Sequence, residues 1–334
     1  MRKKLVSIIL GLIMVVVLVG CVDKNENGDT GNKVVRIGYP GTQNFIGGVA
    51  GIAQEKQFIE EELKKVGYRV EYKSFAAAGP AVNEALTAKE IDIAVYADFP
   101  GILSKSKGVE TTLIGISDNY INSAVVVKSD SNISTIKDLK GKKIGFTKGT
   151  YMQKYLYQIL EYNSIGKNEV ELINTSDGEA ALQGGTIDAL VTTDTQEALL
   201  VLTKKQAKVI DTSKDHKEIC AQSIIIGTNE FLEGNKEAVI ALQRALLDAK
   251  RFIKDNTNES YEVFTKSGLD KESVEYLYGK DKEKFDYITL KVGEEEKKKL
   301  NNSKKFMLEN KIISKDFDID RWVDNSFYEA ANLN

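Results

Sequence analysis

Apolar positions along the chain follow three successive rhythms. Residues 5–19 are almost wholly apolar, broken only by Ser7 and Gly11. Residues 22–33 carry almost no apolar side chain. From Val34 onward, short apolar runs alternate with stretches of helical period. Strands are predicted at 34–38, 69–74, 91–95, 112–116 and 123–127, with helices near 47–66 and 81–88. The order then recurs, with strands at 143–146, 170–173, 187–192, 208–210 and 223–226 and helices at 150–163, 179–183 and 194–203. Short strands spaced by helical patterns indicate βαβ units about parallel sheets. The two halves also share a phrase. Glu-Ala-Leu-Thr-Ala-Lys-Glu-Ile-Asp-Ile-Ala-Val at 84–95 matches Ala-Ala-Leu-Gln-Gly-Gly-Thr-Ile-Asp-Ala-Leu-Val at 180–191. The fold class expected is therefore α/β, with two similar Rossmann-like lobes.

Beyond Asn235 the pattern is mainly helical. Ala238, Val239, Leu242, Leu246 and Ile253 share one face, and Asn229 is placed to cap the short helix before them. A second helix, 293–310, opens with three glutamates and continues with three lysines, matching the helix dipole. Its lysine run reads as a solvated face before it reads as a nucleic-acid or membrane contact.

The first twenty residues change the picture. Arg2, Lys3 and Lys4 precede the apolar run, and small Gly20 precedes Cys21. This is the layout of a secretory signal peptide over 1–20, with an uncleaved anchor helix as the alternative. The run is short for a bilayer span, which takes roughly 20 residues. Leu18-Val19-Gly20-Cys21 resembles the bacterial lipobox, which implies that Cys21 is acylated and anchors the chain to the extracytoplasmic face of the cell membrane. Residues 21–33 then form the lipidated cysteine and a flexible tether reaching roughly 40 Å. Cys220 is the one other cysteine, so no internal disulfide is expected and the body depends on core packing. Loss of the three basic signal residues takes the net charge from −3 to −6, which argues against a nucleic-acid partner.

Four phrases of the body resemble one family. They are Val-Arg-Ile-Gly-Tyr at 35–39, Ser-Phe-Ala-Ala-Ala-Gly-Pro-Ala-Val-Asn-Glu-Ala-Leu at 74–86, Tyr-Ala-Asp-Phe-Pro at 96–100, and Ile-Lys-Asp-Leu-Lys-Gly-Lys-Lys-Ile-Gly-Phe-Thr-Lys-Gly-Thr at 136–150. Together they are similar to the periplasmic-type binding proteins for aliphatic sulfonates, taurine and nitrate, from about Val34 to Thr203. The resemblance implies a periplasmic binding protein type II-like body, with two crossing hinge segments near Asn122-Ser123 and Ser223–Thr228. The first lobe would hold 34–122 plus 227–334 and the second 123–226. It also implies a monomer that closes on a small solute and docks on an ABC permease with its ATPase. The chain departs at Thr193-Asp194-Thr195-Gln196, where the sulfonate group usually has Trp-Asp-Pro and an aromatic residue.

In open α/β sheets ligands bind outside the carboxyl ends of strands. The loops at 41–45, 76–80, 97–100, 147–151 and 192–196 are therefore the place to look. Each precedes a helix and offers unpaired backbone N–H groups to an oxyanion. Candidate ligand residues are Gln43, Asn44, Phe45, Ala78, Gly79, Asp98, Phe99, Asn122, Thr147, Gly149, Thr150, Tyr151, Thr192 and Asp194. No arginine falls in these loops. Asp98 and Asp194 read either as helix caps or as partners for a ligand cation, which would favour an amino-sulfonate such as taurine. Nitrate or bicarbonate, a thiamine-pyrimidine precursor and an organic sulfur compound with a ring are the alternatives. Two other classes stand beside transport. One is a sensor that presents its ligand to a signalling protein. The other is an enzyme using His216 and Cys220, four residues apart, although no third orienting group is evident. No metal-ligand spacing, phosphate loop or dinucleotide fingerprint occurs, so neither metal nor cofactor is expected.

Overall fold

The structure is a computed structural model that describes residues 33–279 and 288–333. The expected signal peptide, the acylated Cys21 and the tether up to residue 32 lie outside the described residues. The chain opens with β1 (Lys33–Pro40), α1 (Gly48–Glu55), α2 (Phe58–Lys65), β2 (Tyr68–Phe75), α3 (Ala78–Thr87), β3 (Ile93–Ala97), α4 (Asp98–Ser106) and β4 (Thr111–Ile121). A second series follows: β5 (Ser123–Lys128), β6 (Lys143–Phe146), α5 (Tyr151–Tyr162), β7 (Glu171–Asn174), α6 (Gly178–Gln183), β8 (Ala189–Thr193), α7 (Asp194–Ala198) and β9 (Ala207–Thr212). After β10 (Ala221–Thr228) the chain is helical: α8 (Asn229–Gly234), α9 (Lys236–Asp255), α10 (Thr257–Phe264), α11 (Lys271–Val274), α12 (Glu294–Glu309), α13 (Ile319–Trp322) and α14 (Ser326–Asn332).

Two five-stranded sheets result, ordered β2-β1-β3-β10-β4 and β7-β6-β8-β5-β9. Each has three parallel strands from βαβ units. Each is then extended by an antiparallel strand that has just arrived from the other lobe, β10 in the first and β5 in the second. The internal repeat at 84–95 and 180–191 thus marks equivalent places, the entries to β3 and β8. The fold class read from the sequence is observed.

The second crossing differs from the sequence expectation. Residues 223–228 were expected to carry it, with the second lobe running to 226. Instead Ser223–Gly227 pair with β3 and with β4 inside the first sheet, so the chain returns through Ser213–Cys220. The run at 223–226 is apolar enough for a strand covered on both faces, and such a run carries no mark of which sheet it joins. Two smaller corrections have local causes. The long helix expected at 47–66 is broken at Gln57, whose left-handed φ of 60° turns the chain between α1 and α2. Asn229 is the first residue of α8 and not its cap. Its side chain accepts from Thr112 Oγ1 at 2.8 Å and donates to Glu110 at 3.2 Å.

Apolar clusters cover both faces of each sheet. The predicted face of α9 is buried throughout. Where α2 meets α9, Arg244 Nε donates to Glu62 at 2.8 Å, and Lys65 pairs with the same carboxylate. Burial pushes the Glu62 carboxyl up, but the Lys65 and Arg244 hydrogen bonds outweigh it and hold it below the usual range. A depressed carboxylate stabilises the fold fully above its unfolded pKa of about 4.3, and that stability is lost as pH falls through the folded value. Glu62→Gln is therefore expected to cost about 1.5–3 kcal/mol at neutral pH. In urea titrations the gap to the parent should narrow on acidification, and a gap independent of pH would contradict the assignment.

Candidate functional site

The βα loops of the two lobes face each other. Gly149 lies just before α5 with φ of 81°, and a Cβ there would sit 3.3 Å from Pro80 Cγ in the first turn of α3. The N-termini of α3 and α5 thus meet across the lobe boundary, and the lobes are closed on one another. Neither helix carries a side-chain cap at its first turn, nor does α1. Thr150, the N-cap of α5, spends its hydroxyl on the Thr147 carbonyl at 2.7 Å, while Gln153 accepts from the Gly149 N–H at 2.9 Å. The partial positive charge of these helix starts is left for a ligand to use.

Tyr151 packs on the core clusters of both lobes. Burial, and then the charges of Asp194 and Asp118, hold its hydroxyl well above the ordinary range. As a residue Tyr151 is half-buried. Asp194 is the first residue of α7, and its Oδ1 accepts from the Thr195 N–H at 2.8 Å. The cap of that helix is Thr193, which accepts from the Gln196 N–H at 3.1 Å. Thr192 is buried at the end of β8. Thr147 donates to the Thr175 carbonyl at 3.1 Å.

Asn122 is buried at the hinge. Its Oδ1 accepts from Ser213 Oγ and from Cys220 Sγ, both at 3.3 Å, so it ties the outgoing crossing to the returning one. Its carbonyl also accepts from the Asp194 N–H at 3.3 Å. Other candidates are placed elsewhere. Phe99 is fully buried in the core of the first lobe. Phe45 is buried beneath its own loop, edge-on to Phe264 at 6.5 Å. Asn44 accepts from the Tyr39 hydroxyl at 3.1 Å, and Gln43 is exposed. Gly79 is a packing glycine, since a Cβ would lie 2.6 Å from the Pro100 ring. Ala78 holds a left-handed φ of 58° at the start of α3. Asp98 neither caps α4 nor stands in the open cleft, and its Oδ2 accepts from Ser303 at 2.7 Å inside the protein.

Several residues of the interlobe surface have no signal in the sequence pattern. Asp118 belongs to β4, whose predicted end at 116 falls short of the observed Ile121. Tyr276 follows α11 and donates to Glu197 on α7 at 3.0 Å. Burial and then Glu197 push its hydroxyl up to about 12. Thr203 likewise donates to Asp270 at 2.7 Å. The 270–276 segment therefore joins the lobes along a second flank. Arg36, Arg69, Arg244, Arg251 and Arg321 all pair with carboxylates away from the facing loops.

The His216 imidazole and the Cys220 thiol have different partners, although the thiol also reaches the His216 backbone carbonyl at 3.8 Å. His216 Nε2 lies 3.6 Å from Asp211, while Cys220 Sγ faces Asn122 and the Ser213 carbonyl, the latter at 3.1 Å. Burial pushes the Cys220 thiol up, opposite to what an activated nucleophile requires.

The model of the NMT1/THI5-like family matches residues 51–260. An aliphatic sulfonates-binding protein of Bacillus subtilis (strain 168) is 26% identical over 336 residues, covering 99% of this chain and 97% of its own. Among solved structures, the periplasmic sulfonate-binding protein SsuA from Methylobacillus flagellatus KT superposes with a TM-score of 0.73 at 22% identity, over 90% of this chain and 94% of that one. The desulfurization enzyme DSZB shares the fold as well, with a TM-score of 0.71 at 16% identity over 90% of this chain and 99% of that one.

Proposed function

The chain belongs to the NMT1/THI5-like family, and on that premise we propose that it is the extracytoplasmic solute-binding component of an ABC importer. It takes a small sulfonate-type solute into the space between its lobes. The observation that carries this reading is the meeting of the uncapped N-termini of α3 and α5 across the lobe boundary. A sulfonate accepts hydrogen bonds in three directions, and backbone N–H groups from two lobes hold it without an arginine. Solute bound between the lobes stabilises the closed form, which is the form a permease can distinguish from the open one. Asp194 and Asp118 near Tyr151 fit a solute with an ammonium end, such as an amino-sulfonate. The protein works as a monomer held to the membrane by acylated Cys21, with a permease and its ATPase as partners. It performs no chemistry on the solute, a reading supported by the separate engagements of His216 and Cys220.

Thermal melts of residues 22–334 against taurine, ethanesulfonate, sulfate, nitrate, an aminopyrimidine and putrescine test the assignment. A sulfonate at a hundred times its dissociation constant is expected to stabilise by about 2.7 kcal/mol. Tyr151→Phe should weaken that response by about tenfold in affinity, the equivalent of one hydroxyl contact near 1.4 kcal/mol. A response confined to the aminopyrimidine or putrescine would replace the sulfonate by a nitrogenous solute.

A further inference from the structure

Among the described residues, one buried polar contact between the lobes lies outside the facing loops. Lys154, one turn into α5, belongs to the second lobe and is 3% exposed. Its ammonium group donates to Ser303 Oγ on α12 at 3.0 Å and to the Cys220 carbonyl on the returning crossing at 3.3 Å. Ser303 passes the contact on to Asp98 of α4 at 2.7 Å, and Asp98 is 1% exposed. One side chain of the second lobe is thereby fixed to two helices of the first lobe and to the hinge. The seam continues along α12. Tyr157 faces Phe306 with ring centres 6.4 Å apart, and Lys167 donates to Asn310 at 2.8 Å.

Burial pushes Asp98 up and Lys154 down, and each charge opposes the other's shift. A buried pair of this kind adds little to folding stability, because desolvation offsets the attraction. It does discriminate between arrangements, since the bonds from Lys154 to Ser303 and to the Cys220 carbonyl form only where α5 lies against α12, and a shift that keeps the seam dry but breaks them strands a buried charge. The pair therefore favours one lobe arrangement over others.

We propose that Lys154 is a positioning residue for solute capture: through Ser303 and Asp98 it biases the chain toward the closed arrangement before any solute arrives. It need not touch the solute. Free energy that favours closure adds to the affinity of whatever the closed cleft holds, because apparent affinity scales with the fraction of competent molecules. The effect on affinity rests on the solute-binding reading above, whereas the bias toward closure does not.

Small-angle X-ray scattering of residues 22–334 without solute separates the two. The parent chain is expected to scatter as the closed arrangement. Ser303→Ala, which removes only the bridging hydroxyl, and the double variant Asp98→Asn/Lys154→Met, which removes both charges together, should each increase the radius of gyration while far-UV circular dichroism stays unchanged. Titration with ethanesulfonate should then show Kd raised about tenfold in both. An open parent chain, or variants with the parent's radius of gyration, would overturn the proposal. A weaker Kd at unchanged radius would also overturn it, since Lys154 would then act at the solute itself. Ethanesulfonate that fails to bind the parent removes the sulfonate reading and leaves the scattering result to decide the clasp.

Discussion

Trp322→Ala is expected to lower the unfolding free energy by about 3–5 kcal/mol, the range for deleting a large buried aromatic side chain. Trp322 is 1% exposed on α13 and stands edge-on to Phe317 at 5.5 Å. Its far ring edge reaches under α4, where a Cβ on Gly101 would lie 3.4 Å from the indole Cη2. The indole N–H is buried and has no hydrogen-bond partner among the described residues. Its removal therefore forfeits packing alone, and Trp322→Phe should recover most of the loss. The chain has a single tryptophan, so the comparison has to be made by circular dichroism in urea and not by fluorescence. A loss below about 1 kcal/mol would mean that α13 does not close this core, since surface substitutions fall in that range.

Phe99→Ala is expected to cost a similar amount, about 3–5 kcal/mol, and to leave solute affinity unchanged in the folded fraction. The residue lies in the Tyr-Ala-Asp-Phe-Pro turn, where sequence position made it a ligand candidate. Its ring is fully buried in the cluster that holds Tyr96 and Ile102. Isothermal titration at a temperature where the variant is folded checks the second half. A tenfold affinity loss there would place Phe99 at the solute. The contrast is with Tyr151→Phe, for which affinity and not stability should respond.

Period and punctuation made most strands legible. The run at 143–146 became β6 without adjustment, and 208–210 and 223–226 are the centres of β9 and β10. What the pattern could not encode is partnership. The apolar face of β10 suits either sheet, and only the antiparallel register with β3 and β4 decides between them. The same blindness governed the site. Gly149, Thr150 and Tyr151 are candidates because a glycine turn before a helix marks a strand end, and that rule is local. Asp98 meets the same rule, which offers a cap or a ligand cation, whereas its observed partner Ser303 is 205 residues away and Lys154 is in the other lobe. Tyr276, in a segment with no helical phrase of its own, gave no hint that it would reach Glu197. The stretch at 193–196 forms a helix start capped by Thr193 with Asp194 at its head.

Because β10 sits between β3 and β4, the two lobes cannot be finished in the order in which they are written. All five strands of the second sheet lie between Ser123 and Thr212. A chain produced from its N-terminus can therefore complete that lobe as an uninterrupted unit. The first sheet waits, since β4 joins it through β10, which ends at Thr228. Until then the inner edge of β3 is open and the apolar residues of β4 have no central strand beside them. Unpaired strand edges of this kind recruit other chains. A product that stops short of Ala221 is thus a second lobe with its sheet complete, attached to an adhesive half-sheet, and β10 must close that sheet before α9 to α14 can cover its faces.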